Sequence, residues 1–170
     1  CYICLAICHY IFYKKVINLR PEWAISKYSE EETIYEEEKR TIKKMPKIKM
    51  IMTRNKDDEK ELYDLLGTKE DRESFADQFK NEKSNFKIAI VVDMWITGFD
   101  VPCLDTIFID KPIKKHTLIQ TISRVNRVYE GKEKGLIIDY IGIYKAMNDA
   151  LRTYTNFEKE KIEDLTPSIT

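Results

Sequence analysis

Two arginines and a glutamine have the residue types and the spacing to contact phosphate. Gln120, Arg124 and Arg127 stand at i, i+4 and i+7 in a segment whose pattern predicts a helix from about Thr117, so their side chains would share one narrow stripe. The opposite side of this helix is apolar and should pack on a sheet, through Leu118, Ile122 and Val125. Two guanidinium groups and an amide that point the same way suit a polyanion, most obviously the terminal phosphates of a nucleotide.

The segment before this helix predicts two buried strands and a loop at the edge of a sheet. Residues 87–92 form an apolar run rich in β-branched side chains, which is typical of a buried parallel strand, and residues 106–109 predict a second one. Between them, Gly98 and Pro102 interrupt a loop that follows the carboxyl end of the first strand. Ligands of open α/β sheets bind at that end. The loop and the helix are therefore the expected functional parts of the chain.

These two segments resemble known helicase motifs. Thr97–Pro102 (TGFDVP) looks like the fifth motif of superfamily 2 helicases and translocases, and Gln120-x-x-x-Arg124-x-x-Arg127 looks like the sixth. The surrounding sequence, with LRPEWA at 19–24 and MTRNKDD at 52–58, resembles the motor subunit of type I restriction-modification enzymes. The likeness covers roughly residues 10–150, and two motifs in the right order are more specific than either one alone.

This resemblance implies the second RecA-like lobe of a superfamily 2 motor, and it gives five residues a role at the nucleotide. Arg127 matches the arginine finger, and Arg124 matches its partner on the same phosphate. Gln120 would hold the nucleotide or couple the helix to the partner lobe. Asp100 matches a residue that contacts the ribose or the arginines, and Gly98 lets the backbone approach closely. An arginine supplied to the γ-phosphate from a facing surface accelerates phosphoryl transfer by about 10³- to 10⁵-fold. The alternative for the two arginines is ordinary ion pairing on the surface.

The same resemblance implies contacts with the DNA backbone. Thr97 matches such a contact in the family. Thr53 and Arg54 follow a predicted strand, and a hydroxyl and a guanidinium at the carboxyl end of a strand suit a nucleic-acid phosphate. The alternative is an ordinary turn in which Asp57 or Asp58 caps the next helix.

The motifs that would hold Mg²⁺ and most of the nucleotide are not found in this sequence. A P-loop needs Gly-x-x-x-x-Gly-Lys-Ser/Thr, but Gly131-Lys132 is followed by Glu133, and Asn126 stands where the first glycine belongs. No Walker B strand and no nuclease pattern is evident. ATP and Mg²⁺ would therefore be bound mainly by a first lobe outside this sequence, and we expect the chain alone to be inactive as an ATPase.

Strands and helices alternate along the chain, which predicts an α/β fold with a mainly parallel sheet. The resemblance implies the RecA-like three-layer arrangement, without the P-loop itself. Two further strands are predicted at residues 47–52 and 135–140, and the strand at 135–140 is predicted to be buried. The predicted helices lie at about 5–19, 30–43 and 58–66, from 68 onwards, and at 144–154. We assign residues 1–155 to one lobe and residues 156–170 to a tail or linker.

Three cysteines and a tryptophan have a functional and a structural interpretation, and the structural one is favoured for both. Cys1, Cys4 and Cys8, at i, i+3 and i+7, predict a helix stripe that faces the core. Zinc would need a second pair of ligands, so no metal site is predicted. Trp95 predicts a core side chain rather than a platform for base stacking.

The composition limits the class of protein. Of the 170 residues, 34% are charged and 43% are hydrophobic, which is typical of a soluble globular protein. Lys plus Arg and Asp plus Glu both number 29, so nucleic-acid binding must come from a local basic patch rather than from net charge. No apolar run is long enough to span a bilayer, and the cysteine content predicts a reduced, cytoplasmic protein.

These observations favour the second motor lobe of an ATP-dependent DNA translocase within a type I restriction endonuclease. The resemblance implies double-stranded DNA, the first lobe of the same chain, and methylation and specificity subunits as partners. One alternative is the C-terminal lobe of another superfamily 2 helicase or remodeller that has no nuclease. Another is a non-catalytic module that binds DNA or protein.

Overall fold

The chain folds into two compact units, unit 1 (residues 1–99) and unit 2 (residues 100–170). The computed structural model describes residues 2–29, 41–92, 94–95, 99–113 and 115–142, together with 148 and 152. Each unit combines helices with a pair of parallel strands, which confirms the predicted α/β class. The assignment of residues 1–155 to a single lobe stays a prediction.

The described residues of unit 1 form a two-stranded parallel sheet and three helices. Strand β1 (Ile48–Ile51) pairs with β2 (Ile88–Val91), with Ile48 opposite Ile88 and Ile51 opposite Val91. The helices are α1 (Tyr2–Leu19), α2 (Lys60–Leu66) and α3 (Lys69–Lys80), and a 3₁₀ turn spans Pro21–Ala24. These elements confirm the predicted strands at 47–52 and 87–92 and the predicted helices at 5–19, at 58–66 and from 68.

Both faces of this sheet are covered, which explains why its strands are nearly continuous apolar runs in the sequence. On one face, α1 and α2 contribute Tyr10 and Leu66 to a core cluster that includes Met50 of β1. On the other face, Phe79 of α3 packs against a cluster that includes Ile51. Met50 and Ile51 are both 0% exposed, as expected for adjacent residues of a strand whose two faces are buried.

The junction between α2 and α3 follows the predicted turn chemistry. Gly67 ends α2 with a φ of 66°, in the left-handed region that favours glycine. Thr68 then caps α3: its hydroxyl accepts from the Asp71 N–H at 3.1 Å, and the Asp71 carboxylate accepts from the Thr68 N–H at 2.8 Å. The hydrogen bond from the Thr68 N–H to the Asp71 carboxylate is the main reason why the pKa of Asp71 lies below its ordinary value. An interaction of the same carboxylate with the Thr68 hydroxyl lowers the pKa further.

A lysine lies largely inside unit 1. Lys49 of β1 places its ammonium 3.9 Å from the centre of the Phe75 ring and donates to the carbonyl of Leu65 at 3.3 Å. Burial lowers the pKa of this ammonium, and the charge of Asp71 only partly opposes the effect.

The predicted cysteine stripe of α1 is wrong at Cys8, which is exposed. The buried face of the helix instead passes through Tyr10, with Tyr13 and Ile17 packed against the same cluster. Cys8, two residues before Tyr10, therefore lies on a different side of the helix from the residues that contact the sheet cluster. The side chains of Cys1 and Cys4 lie outside the described residues.

Unit 2 is a parallel strand–helix–strand arrangement. Strand β3 (Thr106–Ile109) pairs with β4 (Leu136–Asp139), with Thr106 opposite Leu136, and helix α4 (Lys115–Val125) connects them. This confirms the strand predicted at 106–109, the helix predicted from about Thr117 and a strand within 135–140.

The prediction that both strands of unit 2 are buried is wrong. Phe108 is 61% exposed and Leu136 is 53% exposed. Phe108 stacks against Tyr140, with ring centres 6.3 Å apart and planes 12° apart. Ile109, which points to the other face, is only 3% exposed. The pair of strands therefore buries one face, and an apolar run in the sequence cannot show whether one face or two will be covered.

Some predicted elements lie wholly or mostly outside the described residues. Residues 30–40 of the predicted acidic helix are among them, and residues 41–43, which are described, are not helical. The predicted helix 144–154 is described only at 148 and 152, which are both helical, and the tail 156–170 is not described. Among the described helices, none is long and apolar enough to cross a membrane.

Candidate functional site

Helix α4 presents two of the predicted nucleotide-binding residues. Its apolar side is anchored by Leu118 (1% exposed) and Val125 (0% exposed), as the sequence pattern predicted. Gln120 is exposed and Arg124 is half-buried. The fixed apolar side sets the rotation of the helix, and the helix in turn carries an amide and a guanidinium.

Arg127 does not lie on this helix, so the prediction of one helical stripe is wrong for this residue. Helix α4 ends at Val125, and the Asn126 N–H makes the last helical hydrogen bond, to the Ile122 carbonyl at 3.0 Å. Arg127 follows in an irregular segment. After the helix the chain turns back to β4, and Gly135, just before β4, packs closely against Val125, the last residue of the helix.

The structure brings Arg127 together with Asp100, so one residue from each predicted helicase motif meets the other. The Arg127 Nη1 and the Asp100 Oδ2 are 2.6 Å apart, and the two side chains are 47% and 55% exposed. An ion pair this open to water contributes at most about 1 kcal/mol to stability. Its interest lies in its position, because it joins two segments that are 27 residues apart.

The Asp100 segment is anchored by its neighbours. Val101 is 4% exposed, and its carbonyl accepts from the Leu104 N–H at 3.0 Å, which closes a turn before β3. The Asp105 carboxylate accepts from the Thr106 hydroxyl at 2.8 Å. Asp100 itself is thus exposed at the start of a fixed turn.

Lys132 connects the Asp100 segment with the end of α4, although in the sequence it belongs only to an incomplete P-loop pattern. Its ammonium donates to the carbonyl of Leu104 at 2.7 Å and to the carbonyl of Val125 at 2.5 Å. No local signal could have indicated this role, because Leu104 is 28 residues away from Lys132 in the sequence.

Two of the predicted site residues, Thr97 and Gly98, lie outside the described residues. Ile96 lies outside them as well, whereas Trp95 and Phe99 are described. Trp95 has a positive φ of 61° and stacks on Phe99, with ring centres 4.2 Å apart, and on Phe79, at 5.6 Å. Trp95 also packs against the core cluster of Ile51 and Phe86, as the structural interpretation of this side chain predicted.

Thr53 and Arg54 follow the carboxyl end of β1, as predicted. Thr53 is exposed, and its hydroxyl donates to the sulfur of Met94, beyond β2, at 3.7 Å. The Arg54 guanidinium lies 4.2 Å from the centre of the Tyr63 ring, which fixes its direction without using its hydrogen-bond donors. Both residues therefore keep polar atoms at the edge of the sheet.

The alternative interpretation of this segment as a turn is partly right. The Asp58 carboxylate accepts from the Asn55 N–H at 2.6 Å and so closes a turn over residues 55–58. It does not cap α2, whose N-cap residue, Glu59, makes no side-chain capping bond. The turn and the exposed Thr53 hydroxyl coexist.

Comparison with known proteins decides the family. Residues 7–142 match the family described as type I restriction enzyme subunit R domain 3. The chain belongs to this family. The predicted resemblance to subunit R of type I restriction enzymes is thereby confirmed, and the assignment to a motor lobe stays a prediction.

Relatives of this subunit R domain come from distant organisms. A putative type I restriction enzyme endonuclease subunit, MjaIXP, of Methanocaldococcus jannaschii is 47% identical over 112 residues, which is 65% of this chain and 11% of the relative. The type I restriction enzyme HindI endonuclease subunit of Haemophilus influenzae is 37% identical over 147 residues, which is 85% of this chain and 12% of the relative. The subunit R domain thus spans about a tenth of the length of the curated relatives it matches.

Proposed function

We propose that this domain is the second motor lobe, RecA-like and without a P-loop, of an ATP-dependent DNA translocase in a type I restriction endonuclease. Arg127 serves as its arginine finger. The observation that carries the proposal is the Arg127–Asp100 contact at 2.6 Å, because it unites one residue from each of the two helicase-like motifs. Membership of the type I subunit R family and the parallel α/β units support the same conclusion.

The side chains at this site fit the phosphate oxygens of ATP. Guanidinium groups and an amide are hydrogen-bond donors, and charge-assisted bonds to phosphate are among the stronger hydrogen bonds in proteins. In the described ranges, no group of three His, Cys, Asp or Glu side chains could hold a metal ion. By resemblance, Mg²⁺ would be bound mainly by the first lobe. When bound, ATP with Mg²⁺ supplies the phosphoryl group and neutralises part of its charge.

Each residue has a distinct part in this proposal. Asp100 holds the Arg127 guanidinium in place and releases it to the γ-phosphate, whose charge is larger than that of one carboxylate. Arg127 then stabilises charge that develops on the phosphate oxygens during transfer. Arg124 acts on the same phosphate, and Gln120, exposed on α4, contacts the nucleotide. Gly98, which has no side chain, would let the protein backbone approach the nucleotide closely.

Unit 1 would contact the sugar-phosphate backbone of DNA. Thr53 and Arg54 carry polar groups at the carboxyl end of β1, and Thr97 would add a third contact by resemblance. Such contacts read phosphates rather than bases, so binding would be independent of sequence. Double-stranded DNA, the first lobe and the methylation and specificity subunits are the proposed partners of the full-length protein.

The test is the DNA-stimulated ATPase activity of the full-length protein with Arg127→Ala. Loss of an interaction made only in the transition state should lower kcat by a factor that corresponds to about 3–4 kcal/mol, while nucleotide and DNA affinity change little. Arg127→Lys should fail to restore the rate, because an ammonium cannot reproduce the planar fork.

The control addresses the alternative of simple ion pairing, which the Asp100 contact would also satisfy. Lys69→Ala removes the cation of another exposed ion pair, Lys69–Glu73 at 4.0 Å on α3, far in sequence from either motif. This variant should retain the ATPase rate. If Arg127→Ala behaves as Lys69→Ala does, Arg127 is a surface ion-pair residue and the arginine-finger role is wrong.

A further inference from the structure

A single ammonium joins the two segments that carry Asp100 and Arg127. The Lys132 Nζ donates to the Leu104 carbonyl, four residues after Asp100, and to the Val125 carbonyl, two residues before Arg127. The bond to Leu104, at 2.7 Å, has a length typical of a strong hydrogen bond from a charged donor. The two segments that the Asp100–Arg127 ion pair joins are therefore also connected by Lys132, through hydrogen bonds that are more buried than the ion pair.

The backbone fixes the position of Lys132 independently of its side chain. The Lys132 N–H donates to the Tyr129 carbonyl at 2.9 Å and closes a tight turn, in which Gly131 has a φ of 75°. Three residues later, Gly135 packs directly against Val125. The side chain thus extends from a fixed base, and Lys132 is half-buried.

The bond to Val125 also places a positive charge at the carboxyl end of α4. The last carbonyls of a helix lack partners within the helix and carry partial negative charge. Lysine near this end satisfies such a carbonyl and favours the dipole. Since Val125 is the last residue of α4, Lys132 acts where the chain leaves the helix toward Arg127.

We propose that Lys132 is a positioning residue for Arg127. By binding the carbonyls of Leu104 and Val125 together, its ammonium sets the separation between the Asp100 turn and the segment that carries the guanidinium. This inference rests on the proposed function, because the position of Arg127 matters to the rate only if Arg127 acts on the phosphate. A displacement of about 1 Å at a catalytic group can lower the rate by about 100-fold.

The variants are chosen to separate charge, reach and stability. Lys132→Met keeps the length of the aliphatic stem but removes the ammonium, and Lys132→Arg keeps donors that can reach two carbonyls. Lys134→Met is the matched control, since Lys134 is exposed and lies two residues away. All are made in the full-length protein, and the DNA-stimulated ATPase is measured as kcat and KM, with thermal stability and DNA affinity alongside.

We expect Lys132→Met to lower kcat by on the order of 10- to 100-fold, with KM for ATP and the DNA affinity close to wild type. Lys132→Arg should recover most of the rate, and Lys134→Met should match wild type. Because Lys132 acts through Arg127, adding Lys132→Met to Arg127→Ala should cause no further loss in the residual rate of single-turnover hydrolysis.

Two results would overturn the inference while leaving the proposed function intact. One is a wild-type kcat for Lys132→Met when Arg127→Ala is inactive. The other is a double variant whose loss is the product of the two single losses, which indicates a general structural role. If Arg127→Ala itself keeps the wild-type rate, the proposed function is the part that is wrong. Should Lys132→Met fail to fold, Lys132→Gln replaces it, since its amide carries no charge and can donate to one carbonyl at most. A wild-type kcat for Lys132→Gln, or a double variant whose loss is the product of the two single losses, would then overturn the inference.

Discussion

Gly135 offers a sharp test of how the site is held together, because there is no room for a side chain at this position. A Cβ on Gly135 would lie 2.2 Å from the Val125 carbonyl oxygen and 2.4 Å from the Val125 Cγ1, well inside the 3.4 Å at which ordinary contact begins. One of the two obstacles is backbone at the end of α4, which cannot rotate away. Gly135→Ala must therefore push β4 and the end of α4 apart.

The magnitude follows from this geometry. Overpacking of a filled site costs about 1–3 kcal/mol, and an obstacle formed by backbone places Gly135→Ala at the upper end, about 3 kcal/mol. Gly131→Ala is the matched control: Gly131 has a φ of 75° but nothing within 4 Å of its Cβ position. It should lose only the cost of a left-handed alanine, about 1–2 kcal/mol. The pair of variants thus separates a steric clash from backbone strain.

The assay combines urea unfolding of the chain with hydrogen exchange in unit 2. The Leu136 N–H, bonded to the Asp105 carbonyl at 2.9 Å, and the Tyr140 N–H, bonded to the Ile109 carbonyl at 3.0 Å, report on the two ends of the β3–β4 pair. Both should exchange faster in Gly135→Ala than in Gly131→Ala. A Gly135→Ala chain within about 0.5 kcal/mol of wild type, with unchanged exchange, would refute the close packing of β4 on α4.

Two further predictions concern unit 1. Burial lowers the pKa of Lys49 in the folded state. Because the folded chain then binds this proton less tightly than the unfolded chain does, the free energy of unfolding should rise as pH increases toward the ordinary lysine value of 10.5. Urea unfolding at several pH values should show this gain in the wild type and not in Lys49→Met; a gain of equal size in both would contradict it. Arg54→Ala in the full-length protein should weaken binding to two unrelated DNA duplexes equally and reduce the slope of log K against log salt by about 1. A salt titration checks this, with Lys69→Ala as the control that should leave the slope unchanged.

Local signals in the sequence predicted most of the helices and strands of the described chain. The capping pair of Thr68 and Asp71 and the stop at Gly67 depend on residues that are neighbours in the sequence, so their types suffice to predict them. The same is true of the apolar side of α4, because the periodicity of Leu118 and Val125 is a property of one helix.

The parts that could not be predicted depend on segments that meet from far apart. The helical spacing of Arg127 continues that of α4, but Gly135 and Lys132 fix the end of the helix two residues earlier through contacts at Val125. The residue types at the site were thus predictable, and the geometry that presents them was not. Likewise, the exposure of Phe108 depends on which faces of the sheet are covered, which no pattern within β3 can show.

The aromatic stack beside the predicted fifth motif gives this chain a built-in optical reporter. The sequence contains two tryptophans, and Trp95 stands in the loop after β2, stacked on Phe99 with ring planes 17° apart. Trp23, the other, lies in the 3₁₀ turn after α1, next to the charged groups of Arg20 and Lys47. With Trp23 replaced by phenylalanine, the tryptophan fluorescence of the domain, excited selectively over its tyrosines, would come from a single indole two residues before Thr97. Its emission wavelength and anisotropy would then follow the motif loop directly during DNA or nucleotide binding, without an attached dye.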